Sequence, residues 1–293
     1  MTIIVEASGL SKSFGRVHAL NGLDLSVTGG EVHGFLGPNG AGKSTTIRIL
    51  LGLMKASGGA AAVFGLDPWT RSVDIHRRVA YVPGDVSLWP TLSGGEIIDL
   101  LTSLRGGADK TLRSSLIQDF EFNPRTKARD YSKGNRQKVA LIAAFARPAD
   151  LYVFDEPTSG LDPVMESVFR RQVERVKKDG ATILLSSHIL SEVEELCDRV
   201  TIIRSGTTVE TGTLADLRHL TRTTFTAVTA ADVSKLPGVY EVRTEGEKTV
   251  FDVDTDAMQP VLAALAKSGV TALTVAPPSL EQLFLSHYET QNA

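Results

Sequence analysis

The sequence has little of several features that would place it in a special class. It carries one cysteine, Cys197, among 293 residues, which excludes an internal disulfide framework and fits a reducing compartment. No apolar run approaches the roughly 20 residues that a membrane-spanning helix needs. Residues 1–10 include Glu6 and lack a basic segment, so we expect no secretory signal. The net charge of −3 gives no general reason to expect a nucleic-acid partner.

A glycine-rich stretch is the strongest signal present. Residues 37–44 read GPNGAGKS, the phosphate-loop pattern, between an apolar strand (EVHGFLG) and a helical run (TTIRILLGL), which is the context the motif requires. Its glycines let the backbone approach phosphates, and the amides at the helix start point at the anion. We expect Lys43 to neutralise the β- and γ-phosphate oxygens and Ser44 to bind Mg²⁺. The candidate nucleotide-binding residues are Gly37, Pro38, Asn39, Gly40, Ala41, Gly42, Lys43, Ser44 and Thr45.

A second stretch, LYVFDEPTSGLD at residues 151–162, places two acids at the end of a strand buried on both faces. Asp155 is expected to bind Mg²⁺ through water. Glu156, one residue later, points elsewhere and is expected to orient or deprotonate an attacking water. With the phosphate loop, this pair predicts hydrolysis of a nucleoside triphosphate, without indicating which class of enzyme performs it.

The order of the motifs narrows the class. The phosphate loop is followed by YSKGNRQK (131–138), VFDEPTSGLD and LLSSH, which ends at His188. This order resembles the ATPase subunit of ATP-binding-cassette (ABC) transporters over roughly residues 3–215. The resemblance implies that Phe14 stacks on adenine, with a core position as the alternative. It also implies that His188 contacts the γ-phosphate and holds the catalytic water, and that Asp162 contacts an opposing subunit.

Two stretches compete for the signature motif of that family, which in one subunit caps the γ-phosphate held by the other. The motif must begin a helix that runs directly into the second acid-bearing strand, and YSKGNRQK does so. Ser132 supplies a hydroxyl, Gly134 permits close backbone approach, and the helix start adds its dipole. Lys133 replaces the first glycine of the pattern, and Asn135 replaces glutamine but keeps an amide side chain.

The other stretch, LSGGE at residues 92–96, looks more like the usual signature but lies too early in the chain. It precedes IIDLLTSL, whose apolar residues recur at helical spacing. Ser93 and Glu96 stand three apart at its start, as in a capping box. LSGGE therefore predicts a helix start rather than a nucleotide contact.

A further departure follows the sequence YVP at residues 81–83. The family has a glutamine next that touches Mg²⁺ or the water and couples to the membrane partner, whereas this chain has Gly84 and then Asp85. Glycine has no side chain that could bind metal. Our hypothesis is that Asp85 or an extra water substitutes, with a plain turn as the alternative.

The organisation of the chain predicts an α/β protein with a P-loop NTPase core. We expect an ABC ATPase domain at residues 1–220, with an antiparallel β subdomain and a helical, signature-bearing subdomain at about 87–147. Residues 221–293 predict a small α+β domain of plausible β-α-β-β-α-β order. Its last segment, PSLEQLFLSHY, resembles the end of ABC-2 type antibiotic and multidrug exporter ATPases of the daunorubicin-resistance and tetronasin type.

The resemblance implies an ATP- and Mg²⁺-dependent subunit of a drug, antibiotic or lipid-like compound exporter. Two ATPase subunits, as a homodimer or heterodimer, would close on ATP and drive a separately encoded polytopic permease. The chain would then lie at the cytoplasmic face of the plasma membrane, bound to that permease, with no nucleic-acid partner. The alternatives are an importer ATPase and a soluble ABC-superfamily ATPase of translation or DNA maintenance.

Overall fold

The computed structural model describes residues 2–219 and 222–276, and the chain divides into two compact units, Met1–Thr211 and Gly212–Ala293. Across the described residues, none of the helices combines the length and apolar character that crossing a bilayer would take.

The first unit contains an antiparallel sheet that confirms the antiparallel β subdomain. Its strands are β1 (Ile3–Phe14), β2 (Val17–Thr28) and β4 (Gly58–Val63), in the order β2-β1-β4. The buried residues Leu23, Leu25 and Val27 alternate along β2, as expected of a strand with one face toward a core. This sheet shares its apolar core with the larger sheet of the unit.

The larger sheet has the order β5-β6-β7-β3-β8-β9. The strands are β3 (Val32–Leu36), β5 (Val79–Val82), β6 (Leu151–Asp155), β7 (Thr182–Ser187), β8 (Arg199–Arg204) and β9 (Thr207–Thr213). The helices between them are α1 (Lys43–Leu50), α2 (Ser72–His76), α6 (Pro163–Lys178) and α7 (Leu190–Leu196).

The pairing within this sheet determines where the site forms. β6 pairs in parallel with β7, and β7 pairs in parallel with β3. The carboxyl ends of these three neighbours therefore meet at one edge, which is where parallel α/β sheets bind ligands. The phosphate loop follows β3, the paired acids end β6, and His188 follows β7.

The expected helical subdomain is present between β5 and β6. It contains α3 (Gly94–Ser103), α4 (Lys110–Asp119), a 3₁₀ turn (Ala128–Asp130) and α5 (Lys133–Phe145). Helix α5 buries Val139 through Ala146 and is followed by Pro148 and then β6, as the sequence predicts.

The second unit contains a four-stranded antiparallel sheet, in the order β11-β12-β10-β13, with a separate small core. Its elements are α8 (Leu214–His219), β10 (Thr223–Thr229), β11 (Val239–Glu245), β12 (Lys248–Val253), α9 (Met258–Ser268) and β13 (Val270–Ala276). The expected β-α-β-β-α-β order is wrong at its first helix. There the described residues form only a 3₁₀ turn, Val233–Lys235, because Pro237 and Gly238 end the short connection. The segment PSLEQLFLSHY lies outside the described residues.

Candidate nucleotide-hydrolysis site

The phosphate loop is held tightly by its surroundings. A Cβ on Gly37 would lie 2.5 Å from the Ile203 carbonyl oxygen, so a side chain there has no room. Gly42 has a φ of +111°, and its Cβ would lie 2.6 Å from a Leu20 methyl carbon. Packing therefore requires glycine at both positions, and at Gly42 the positive φ requires it as well.

Lys43, the first residue of α1, is buried with its ammonium group directed into the loop. Its Nζ donates to the carbonyl oxygens of Gly37 at 2.6 Å and Pro38 at 3.2 Å. It also lies 3.6 Å from Oε1 of Glu156. Burial lowers the pKa of Lys43, and the carboxylate of Glu156 opposes that effect. The arrangement places a cation where the loop would hold phosphate oxygens.

The two acids at the end of β6 point in different directions. Asp155 is buried, and its Oδ1 accepts a 2.5 Å hydrogen bond from the Ser186 hydroxyl on β7. Glu156 has a φ of +50°, a left-handed conformation unusual for a residue with a side chain. Its amide donates to the Ser186 carbonyl at 3.0 Å, which anchors the turn to the neighbouring strand.

Two candidate catalytic side chains converge on one carboxylate oxygen of a third. Oε1 of Glu156 lies 3.2 Å from Nδ1 of His188 and 3.6 Å from Nζ of Lys43. The side chain of His188 is half exposed, and that of Glu156 is about a quarter exposed. A carboxylate flanked by an imidazole and an ammonium group, and open on one side, can hold and activate a water.

Gly84 lies against Asp155 on the other side. A Cβ on Gly84 would be 3.1 Å from the Asp155 carbonyl oxygen and 3.8 Å from its carboxyl carbon. The residue that replaces the family glutamine therefore does lie beside the paired acids. Asp85 is exposed next to it. Tyr81, on β5, is also close, and burial together with the charge of Asp155 raises its pKa to about 12.

Phe14 is not a core residue, because 48% of it is exposed at the end of β1. The Lys12 ammonium lies 5.1 Å from the centre of its ring. After the turn, Leu20 of β2 packs against Gly42 of the phosphate loop. The β1–β2 hairpin is thus fixed at the phosphate loop and carries an exposed aromatic face.

YSKGNRQK begins α5, with Ser132 as the residue that caps it. The Ser132 hydroxyl is exposed and accepts from the Asn135 amide at 3.3 Å. A Cβ on Gly134 would lie 2.5 Å from the Gly160 carbonyl oxygen. Lys133, which departs from the family pattern, donates to the Ser159 hydroxyl at 2.6 Å. The start of α5 is therefore joined to the loop that follows Glu156.

Asp162 ends that same loop. Its carboxylate accepts from the Met165 amide at 3.0 Å and caps α6. The described contacts of Asp162 thus account for a structural role.

LSGGE begins a helix, as predicted. Ser93 caps α3 by accepting from the Glu96 amide at 3.3 Å, and the Glu96 carboxylate accepts from the Ser93 amide at 2.6 Å. A Cβ on Gly94 would lie only 2.4 Å from the Phe122 ring and the Tyr131 hydroxyl. The glycine that suggested a nucleotide motif is required by packing within the helical subdomain.

Two buried side chains that support the site were not singled out from the sequence. Gln137, which is 1% exposed, donates from Nε2 to the Pro157 carbonyl at 2.8 Å. Ser186 holds Asp155, as described above. Ser186 lies near the end of the apolar strand TILLSS, two residues before His188, and that position in the sequence could have suggested it. Gln137 gives no signal in the sequence beyond lying on the signature helix.

Comparisons with known proteins agree on one family. The family model for "ABC transporter" matches residues 20–159. The daunorubicin/doxorubicin resistance ATP-binding protein of Streptomyces peucetius is 32% identical, over 97% of this chain and 92% of that protein. The linearmycin resistance ATP-binding protein of Bacillus subtilis is 28% identical, over 97% of both chains.

Solved structures show the same. A structure described as an ATP binding subunit of an ABC transporter has a TM-score of 0.68 and 32% identity, over 74% of this chain and 92% of that one. A dimeric ATP-binding cassette bound to ADP and Pi, at 22% identity and a TM-score of 0.65, shows the P-loop NTPase fold of the cassettes over 72% of this chain. The chain belongs to the ATP-binding subunits of ABC transporters and is an ATPase.

Proposed function

We propose that this ATPase powers export of a drug, antibiotic or lipid-like compound through a separate transmembrane permease. The observation that carries the hydrolytic part is the convergence of Lys43 and His188 on Oε1 of Glu156. Support for export comes from relatives named for daunorubicin/doxorubicin and linearmycin resistance, which match almost the whole chain.

In the proposed reaction, the phosphate loop from Gly37 to Thr45 binds the triphosphate of ATP and Phe14 stacks on its adenine. Lys43 neutralises the β- and γ-phosphate oxygens. Glu156 orients and deprotonates the attacking water, and His188 holds that water and the γ-phosphate. Catalysis is then largely positioning and charge neutralisation.

Ser44 and Asp155 would hold Mg²⁺. A hydroxyl and a buried carboxylate are hard oxygen ligands of the kind that Mg²⁺ prefers. Among the described residues, no group of three or more His, Cys, Asp or Glu side chains could hold a metal by itself. A Mg²⁺ bound with ATP does not need one, because phosphate oxygens and waters complete its coordination. Asp85, or an extra water in its place, would substitute for the glutamine that this chain lacks at Gly84.

Two ATPase subunits, identical or related, would each cap the nucleotide of the other. Ser132, Gly134 and Asn135 lie at the exposed start of α5, where a hydroxyl, backbone amides and the helix dipole can reach a γ-phosphate held by another subunit. Asp162 would contact that subunit. Closure on ATP and opening after hydrolysis would switch the permease between its inward- and outward-open states.

The permease would hold the chain at the cytoplasmic face of the plasma membrane. Leu100 on α3 and Leu104, which directly follows α3, are exposed, and Trp89 is 50% exposed just before the helix. These apolar side chains belong to the proposed helical subdomain at about 87–147, which would face the permease. Exposed aromatic and aliphatic groups are typical anchors of a protein interface.

We further propose that residues 1–220 act as the ATPase domain and that residues 221–293 regulate it or contact a second ATPase subunit. The second unit is a small α+β unit with its own apolar core, and such a unit could serve either purpose. Deletion of residues 221–293 tests the division. Unchanged dimerisation and unchanged ATP turnover in the deletion variant would reduce this segment to a structural extension.

Steady-state ATP hydrolysis of the Glu156→Gln variant tests the assignment of the site. We expect turnover to be abolished while ATP binding and an ATP-dependent dimer persist, because only the base is lost. Glu174→Gln, an exposed carboxylate on α6, is the matched control and should hydrolyse ATP at the wild-type rate. Normal turnover in Glu156→Gln would show that the base has been assigned wrongly.

The first step in testing export is to read the neighbouring reading frame, which we expect to encode a polytopic membrane protein without an ATPase of its own. That protein is then co-expressed with the chain, with Glu156→Gln as the inactive control. We expect cells with the active pair to accumulate less of a transported drug. ATP-dependent uptake through the pair would favour an importer instead. Absence of any membrane partner would favour a soluble ABC-superfamily ATPase.

A further inference from the structure

A carboxylate on α7, Glu192, lies behind the loops that carry Glu156 and His188. Its Oε2 accepts a 2.7 Å hydrogen bond from the Ser187 hydroxyl. Its Oε1 is enclosed and has no hydrogen-bond partner among the described residues. Burial raises the pKa of Glu192, although the hydroxyl groups of Ser187 and Thr158 act in the opposite direction. An enclosed carboxyl of this kind is costly to keep unless it serves the surrounding structure or the reaction.

Oε2 of Glu192 is connected to the His188 loop through Ser187. Ser187 directly precedes His188, and its hydroxyl oxygen accepts from the Ile189 amide at 2.9 Å while donating to Glu192. The Ser187 hydroxyl thus links the residue before His188 to the residue after it. Glu192 determines where that hydroxyl points, so it constrains the backbone from which the imidazole projects.

The other side of Glu192 faces the Glu156 loop. Thr158 and Glu192 line one cavity, and the Thr158 side chain is among the groups that lower the pKa of Glu192. Thr158 is buried two residues after Glu156. A cavity of about 70 Å³ adjoins Thr158 and Glu192, so truncation of Glu192 would enlarge an existing space and leave both loops without a filler between them.

We propose that Glu192 is a positioning residue for ATP hydrolysis: its side chain joins the loop of Glu156 to the loop of His188. In doing so it maintains the 3.2 Å approach between Oε1 of Glu156 and Nδ1 of His188. Glu192 acts through Ser187 and Thr158, and the described contacts of its side chain lie away from the phosphate loop. The inference rests on the proposed roles of Glu156 and His188.

The test measures kcat and KM for ATP on the full chain carrying Glu192→Ala, Glu192→Gln or the control Glu195→Ala. We expect Glu192→Ala to lower kcat by about tenfold to 100-fold, the loss that a misplacement of about 1 Å produces. KM for ATP should stay within about twofold, because the phosphate loop is untouched. Glu192→Gln keeps an oxygen acceptor for Ser187 and should retain a kcat within about twofold of wild type. Glu195→Ala removes a carboxylate of the same helix that lines the same cavity but pairs with Arg170 rather than with Ser187, and it should leave both constants unchanged.

An unchanged kcat in Glu192→Ala, or an equal loss in Glu192→Gln and Glu192→Ala, would overturn the proposal. A rise in KM for ATP without a fall in kcat would also overturn it. If Glu192→Ala does not fold, as judged by thermal melting, Ser187→Ala decides, because it removes the same link from the other end. A normal kcat in Ser187→Ala would then refute the positioning role.

The same assay distinguishes this proposal from the proposed function. Glu156→Gln and His188→Ala are measured beside the Glu192 variants. Wild-type rates in those two variants would refute the assignment of the hydrolytic residues. If they are inactive while Glu192→Ala remains fully active, only the positioning role fails.

Discussion

The left-handed backbone of Glu156 allows a test that separates its conformation from its chemistry. The left-handed conformation costs a residue that carries a Cβ roughly 1–2 kcal/mol of conformational free energy, whereas glycine adopts it freely. Glycine in turn loses more conformational freedom on folding, which costs about 0.5–1 kcal/mol relative to alanine. The midpoints of the two ranges differ by about 0.75 kcal/mol, and by this amount Glu156→Gly is predicted to be more stable than Glu156→Ala. At a residue with an ordinary negative φ, the order is reversed.

The comparison is made between the two variants rather than with the wild type. Both remove the carboxylate, so both lose the contacts with Lys43 and His188 to the same extent. What remains is the backbone preference at φ +50°. Both variants should also fail to turn over ATP, which separates the stability effect from activity.

Thermal and urea unfolding measure the difference. For a domain of 150–250 residues, about 1 kcal/mol shifts Tm by about 2–4 °C, so Glu156→Gly should melt about 1–4 °C above Glu156→Ala. Asp179, which follows α6 with a φ of −76°, provides the matched control pair. There the alanine variant should be the more stable one. If alanine is equal to or better than glycine at Glu156, the left-handed turn does not exist in the protein in solution.

Three further outcomes are expected. Ser93→Ala should lower the free energy of unfolding by about 1 kcal/mol and leave ATP turnover largely intact. Ser132→Arg should stop turnover. The reverse result would mean that LSGGE, and not YSKGNRQK, is the signature motif. Asp85→Ala should reduce ATPase activity and its Mg²⁺ dependence, and unchanged values would exclude Asp85 as the substitute for the glutamine. Hydrogen bonds from the Ser93 side chain and amide lower the pKa of Glu96 to about 2. Because that pKa lies below the ordinary value of 4.5, the stabilisation is complete above about pH 4.5 and is lost as pH falls toward 2. The stability deficit of Glu96→Gln, measured by thermal melting, should therefore be smaller at pH 4 than at pH 7.

The nucleotide-binding part of the site could be predicted because its chemistry is contiguous in the chain. Residues 37–44 contain the turn, the cation and the helix start in one segment, and residues 151–156 contain the strand and both acids. The meeting of Glu156 with His188 could not be derived from either segment. It depends on β7 lying between β6 and β3 in the sheet, which local patterns do not specify.

Supporting residues were harder to predict for a related reason. Gln137 bears on the site through one hydrogen bond to the Pro157 carbonyl, 20 residues away, and Glu192 through a hydrogen bond from Ser187, five residues before it. Nothing in the sequence around either residue distinguishes it from other polar helix residues. The prediction of a first helix in the C-terminal unit is wrong for a different reason. The β-α-β-β-α-β order places a helix in the connection 230–238, but Pro237 and Gly238 leave little length for one.

Glycines alone are a misleading guide to the signature motif in this sequence, because two different packing requirements account for them. Gly94 in LSGGE is required by the Phe122 ring, whereas Gly134 in YSKGNRQK is required by the backbone of Gly160, in the loop after Glu156. Lys133 can replace the other signature glycine because its side chain turns toward Ser159. The Ser132 hydroxyl stays exposed at the helix start despite that replacement. We therefore propose that the signature is identified by where its helix begins, beside the loop that follows Glu156. We predict that LSGGE, whose letters match better but which packs within the helical subdomain, does not act as the signature.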